Sequence, residues 1–252
     1  MDLQVSPITL VLSFTLVLAG VFISYREKLG TAKEILYSIT RAVIQLIIVG
    51  YVLTYLFNVN NTIVTLAMVL VISFNASWNA SKRSNHIPHA LKISLIAIFS
   101  AIILTLSILV LSGSVKFIPS QIVPISGMIA GNAMTTIGLC YRNLNSLFRD
   151  QRQQILEKLS LGATPNQASR TILRETIKSG MQPSLDAAKT IGIVSLPGMM
   201  SGLMFAGTTP MTAIMYQIMV TFMLVATTSI SSYIASFLAY REFFNERQQL
   251  RN

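Results

Sequence analysis

An all-α polytopic membrane protein is predicted by three features of the chain. Apolar residues make up 52% of its 252 residues and fall in long uninterrupted runs. Charged residues make up only 11%, against about 25% in a soluble protein, and the mean hydropathy is +0.62. The formal charge of +10 sits between the apolar runs. That is where orientation signals lie, and it argues against nucleic acid as a partner.

Taken in order, the runs predict seven spans. The first is about Ile8–Ser24, preceded by Asp2 and no basic residue, a poor match to a secretory signal. A polar loop with Arg26, Lys28 and Lys33 leads to span two, about Ile35–Phe57. The turn Asn58–Asn61 leads to span three, about Thr62–Ala80, and Lys82, Arg83, His86 and Lys92 follow it. Span four is about Leu91–Leu111 and span five about Phe117–Cys140. After the polar region Tyr141–Lys189 come span six, about Thr190–Thr209, and span seven, about Met211–Tyr240. The loops after spans one, three, five and seven hold 3, 3, 8 and 3 Lys or Arg, which is 17 of the 19. The positive-inside rule then puts the N-terminus outside and the C-terminus in the cytoplasm. The lone Cys140 excludes an internal disulfide framework and reads as packing. The whole of 1–252 reads as one permease domain, with a cytoplasmic coupling region at 141–189.

Within that region a corner is specified residue by residue. Gly162 suits the left-handed conformation that ends a helix. Thr164 is a good N-cap, Pro165 fits the first helical position, and Gln167 completes a capping box. Ala168, Ile172, Leu173 and Ile177 share one face, so the second helix is amphipathic. Two short helices around Gly162-Ala163 make a rigid knob, with Glu157 and Leu161 on the approach. A knob on the charged side of a membrane protein is a docking candidate; an ordinary helix-turn-helix is the plain alternative.

Polar residues inside spans mark candidate path positions. Arg41 and Gln45 lie one turn apart in span two, although Arg41 is close enough to the cytoplasmic end to snorkel. Asn75 and Asn79 form an i, i+4 pair in span three beside Trp78; they line a path or join helices. Span five holds Pro124, Gly127, Gly131 and Asn132. Span six is interrupted at Pro197-Gly198, followed by Met199 and Met200. Interrupted spans mark either a substrate route or a packed kink. The many methionines of the later spans suit soft cations but more simply give adaptable packing. No Asp or Glu falls inside a predicted span, so an intramembrane carboxylate site is not expected, and His86 with His89 is too small a set for a metal site.

No G-x-x-x-x-G-K-[ST] occurs, so the chain carries no P-loop ATPase of its own. Arg41–Leu53 (RAVIQLIIVGYVL), Phe74–Ser84 (FNASWNASKRS), Pro124–Met134 (PISGMIAGNAM), Glu157–Ser169 (EKLSLGATPNQAS) and Ser195–Gly207 (SLPGMMSGLMFAG) resemble, in order, the bacterial iron-export ABC permease family. That family also includes plant membrane proteins tied to aluminium tolerance. The Glu157–Gln167 corner resembles the coupling loop of ABC permeases. The resemblance implies a non-enzymatic permease in the bacterial inner membrane, in contact with membrane lipid, with a role in metal or oxidative stress. It implies a homodimer with two separate ATP-binding subunits; ATP and Mg would sit on those partners, with no cofactor on this chain and metal ligands not identified. Rival readings are an ion-gradient-driven carrier or channel, and a membrane sensor that docks a cytoplasmic partner.

Overall fold

The computed structural model describes residues 7–59, 61–85 and 87–251. Asp2 and His86, named above, and Asn60, within the turn Asn58–Asn61, lie outside the described residues. Among the described residues the fold is all helical: α1 (Pro7–Arg26), α2 (Ala32–Val59), α3 (Thr62–Ser81), α4 (Ala90–Leu111), α5 (Pro119–Asp150), α6 (Arg152–Ser160), α7 (Pro165–Thr190), α8 (Gly198–Phe205) and α9 (Pro210–Ala239), with a closing 3-10 turn at Tyr240–Phe243. Packing divides the chain into two compact units, 1–60 and 61–252.

The first unit is a helical pair. α1 and α2 pack on each other. Their connection turns on Gly30 (φ +73°), and Ser24 Oγ and Thr31 Oγ1 share a hydrogen bond of 2.8 Å. Large apolar side chains such as Leu12, Leu16, Leu46 and Ile47 point outward. Water penalises such a surface and lipid does not.

In the second unit α3, α4, α5 and α9 pack against one another, and α7 packs on α5 and α9. Ile98 and Ile102 of α4 and Ile122, Ile129 and Ile137 of α5 fill its centre. Small residues let the helices approach: Ala80, Ala97, Ala101, Ala133, Ala235 and Ala239 are fully or almost fully buried. Polar locks sit at one end. The buried Tyr141 hydroxyl donates to the Ala90 carbonyl at 3.2 Å and bonds Ser94 Oγ at 2.8 Å. Asn145 Nδ2 donates to the Ser84 carbonyl at 2.6 Å. Phe148 stacks on Phe243 with centroids 4.1 Å apart.

Five helices among the described residues are long and apolar enough to cross a membrane, and a shorter apolar helix, Val11–Arg26, lies near the N-terminus. The expected span six, Thr190–Thr209, departs from expectation because it is not one helix. α7 stops at Thr190, and Gly192 (φ +83°) turns the chain so that its N–H donates to the Ser195 carbonyl at 2.9 Å. Pro197 is extended and has no N–H to give. α8 then has only 8 residues, or about 12 Å, well short of the ~30 Å hydrocarbon thickness. Gly207 (φ +89°) ends it, and Thr209 caps α9 with Pro210 next. The expected pair of short helices around Gly162 is also revised. α6 has 9 residues, but α7 runs for 26, about 39 Å.

Candidate functional site: a corner and a broken helix joined by one rod

The corner is built by its own backbone. Gly162 adopts φ +87°. Its N–H donates to the Leu159 carbonyl at 3.0 Å, and the Ala163 N–H reaches back to the Lys158 carbonyl at 3.0 Å. These bonds satisfy the orphan carbonyls of α6. Thr164 then opens α7: the Gln167 N–H donates to Thr164 Oγ1 at 3.4 Å, and the Thr164 N–H donates to Gln167 Oε1 at 2.9 Å. Pro165 occupies the first turn. Ile155 pins α6 from below, while Ala168, Ile172 and Leu173 pin α7. What projects is the tip. Leu161 is 88% exposed, and Glu157, held by Gln153 Nε2 at 3.2 Å, is exposed beside it. An apolar side chain standing free on a rigid turn is the form of an anchor for a partner's pocket.

The C-terminal segment frames this corner, a feature not visible in the sequence. Arg152 Nη1 donates to the Arg251 carbonyl at 3.0 Å, and the Arg251 N–H donates to the Phe243 carbonyl at 2.8 Å. A groove of about 780 Å³ lies between α6, Gly162-Ala163 and the segment Asn245–Arg251.

From the corner, α7 runs as one helix to the break at Ile191–Pro197. Its buried face joins the apolar Ile172 and Leu173 to the small or hydroxylated Ala168, Ser169, Thr176 and Gly180. Opposite Gly180 lie Cys140 and Thr136 of α5 and Ser232 of α9. Further along, a cavity of about 150 Å³ is lined by Asn132 of α5, Pro183, Ser184, Ala187, Ala188 and Ile191 of α7, and Thr221, Leu224 and Val225 of α9. Asn132, Ser184 and Thr221 bring polar groups to an otherwise apolar wall. Asn132 Nδ2 donates to the Met128 carbonyl at 2.9 Å, which leaves its oxygen for other use.

The other path candidates are dispersed. Arg41 and Gln45 are exposed on α2, in the first unit. Asn75 and Asn79 close on each other: Asn79 Nδ2 donates to Asn75 Oδ1 and to the Asn75 carbonyl, both at 2.8 Å. The neighbouring Trp78 is exposed, with Lys82 Nζ 5.5 Å from its ring centre, an arrangement that suits an interface anchor. Pro197 caps α8, Gly198 is its first residue, and Met199 and Met200 are half-buried along it.

Two features escaped the sequence reading. Gln217 of α9 is buried with Oε1 unpaired among the described residues. Asp186 was placed outside every span, yet it sits on α7 between Ser184 and Ala187, which line the cavity beside the middle of α9. The reason is that the second half of the polar region 141–189 is not loop but helix, packed along α5 and α9. The signal available was the i, i+4 pair Gln182 and Asp186 in a segment followed directly by apolar residues.

Comparison with known proteins fits this architecture. Residues 7–244 match the family described as "Uncharacterised protein family (UPF0014)". The chain is 57% identical to the "Probable iron export permease protein FetB" of Escherichia coli K12, over 96% of this chain and 93% of that protein. It is 34% identical to "Protein ALUMINUM SENSITIVE 3" of Arabidopsis thaliana, over 95% of this chain and 88% of that one. It is also 34% identical to "UPF0014 membrane protein YjkA" of Bacillus subtilis, over 97% of this chain and 98% of that one. No solved structure matches it significantly. With its apolar helices and this match along nearly its whole length, the chain belongs to the UPF0014 family of membrane proteins.

Proposed function

We infer that this chain is the permease subunit of an ABC exporter that moves iron, or a related metal species, out across the bacterial inner membrane. The observation that carries this reading is the continuity of α7. One 26-residue helix starts at the exposed corner and ends at the broken segment beside Asn132. A push at the corner is carried along α7 to the break, past its one interior proline, Pro183, which lines the cavity. The relative's printed description as an iron export permease supplies the substrate class and direction.

In this reading 1–252 is one permease domain, and of the coupling region 141–189 the part up to the first half of α7 lies in the cytoplasm, while the second half of α7 enters the membrane. The N-terminus is outside and the C-terminus inside, a reading that the placement of Lys and Arg supports. The second half of α7 and α8 together make the sixth of seven crossings. A discontinuous helix at mid-membrane is tolerated only where it meets protein or a cavity, and there it suits a substrate route. The pump is two permeases with two ATP-binding subunits. ATP and Mg belong to those partners, and this chain needs no cofactor.

Co-purification tests the partnership. The chain, expressed with a candidate ATP-binding subunit, should yield an equimolar complex. Leu161→Asp, at the exposed tip, should weaken that association about tenfold or more. Equal recovery of partner with Leu161→Asp, at equal permease levels, would contradict the docking role.

A further inference from the structure

The second half of α7 carries charge on its open face. Gln182 Nε2 donates to both Asp186 oxygens, at 2.9 and 3.0 Å, and Lys189 Nζ donates to Asp186 Oδ1 at 3.2 Å. The Asp186 and Lys189 side chains are 55% and 70% exposed. Their depth follows from the neighbouring helices. Ser184 and Ala187 share a cavity with Thr221 and Val225, which lie at the middle of the 30-residue α9. If α9 spans the bilayer, Asp186 lies near the bilayer centre. A carboxylate and an ammonium facing lipid there are costly, so this face turns toward water or a functional partner.

A second observation favours water. A groove of about 480 Å³ runs between α5 and α7, lined by Asn143, Glu175, Lys178, Ser179 and Gln182. Gln182 is thus both the inner end of a polar groove and the hydrogen-bond donor to Asp186. The groove leads from the side of the coupling region toward the broken helix.

We propose that this face of α7 lines the transport route and that Asp186, steadied by Gln182, is a ligand for a hard divalent cation. This rests on the permease reading above. A carboxylate is a hard donor, better matched to such an ion than a thioether sulfur. Lys189 holds the carboxylate when no metal is bound, and the arriving ion displaces it. No group of three or more His, Cys, Asp or Glu gathers among the described residues. One chain therefore supplies part of a coordination shell, and water or the second copy completes it. Partial, water-retaining coordination suits an ion that must also leave.

The test uses the full-length chain in lipid vesicles, without the ATPase, in a Cys140→Ala background. Lys189→Cys, one turn from Asp186 on the same open face, should react with a charged, membrane-impermeant thiosulfonate at least about tenfold faster than Phe222→Cys, which is exposed at similar depth on α9. Mn²⁺ should slow the reaction at Lys189→Cys, where Gln182 and Asp186 are intact. That protection should need about tenfold more Mn²⁺, or vanish, when Asp186→Asn is added, whereas Asp186→Glu should keep it. Equal, slow labelling at both positions would overturn the proposal, as would Mn²⁺ protection unaffected by Asp186→Asn. Because no ATPase is present, failure here is distinct from failure of the ATP-driven reading, which co-purification and ATP-dependent transport report.

Discussion

Gly162→Val should abolish ATP-driven transport while the permease still reaches the membrane. The glycine sits at φ +87°, and a Cβ there would meet no atom within 4 Å. The effect is therefore conformational rather than steric. A left-handed residue with a side chain costs about 1–2 kcal/mol, and a β-branched one sits at the upper end. The corner can avoid that cost by unwinding the end of α6, which moves Leu161 and breaks the bond from the Ala163 N–H to the Lys158 carbonyl. The packed anchors Ile155 and Ile172 lie away from the strain, so the fold survives. Transport assayed with the partner ATPase, at matched membrane levels, checks this. Unimpaired partner binding and transport in Gly162→Val would remove the corner from the mechanism.

Gly180→Ala should be the costliest single-methyl change in the second unit. An added Cβ would stand 2.5 Å from Cys140 Sγ, 3.4 Å from Ser232 Cβ and 3.5 Å from Thr136 Cγ2. α5 and α9 hold the site from both sides, so α7 must lift away, at about 1–3 kcal/mol. Lifting α7 also disturbs the rod between corner and break. Removing the sulfur should relieve the crowding: the pair Cys140→Ala with Gly180→Ala should recover most of the loss, because the remaining distances are ordinary contacts. Thermal unfolding of the four proteins of this cycle measures the coupling directly. Additive losses would mean that Cys140 is not the obstacle.

The parts of the fold readable in advance were those set by local chemistry. Thr164, Pro165 and Gln167 form the expected cap, and Gly162 takes the expected left-handed turn, because both depend only on nearby backbone. The apolar runs of α2 to α5 and α9 declared themselves by transfer free energy alone. α7 did not. Its first half shows an apolar face at Ala168, Ile172 and Leu173, but beyond that the buried positions are Thr176 and Gly180, and there α7 packs by close approach of small residues. The length of that helix, and with it the depth of Asp186, is a tertiary outcome. The same holds for the break at Ile191–Pro197: Pro197-Gly198 marked an interruption, but Gly192 set where the helix stops. Of the candidate path residues, Asn132 reaches the cavity, whereas Asn75 and Asn79 satisfy each other.

The central claim is that motion delivered at the corner drives a metal ion through the membrane. It is tested most directly by reconstituting the chain with its ATP-binding subunit in sealed vesicles and following iron across the bilayer. Iron movement that requires both proteins and hydrolysable ATP, and that stops with Gly162→Val, is the expected result. Iron movement by the permease alone, indifferent to ATP and driven by an ion gradient, would contradict it and make the protein a carrier.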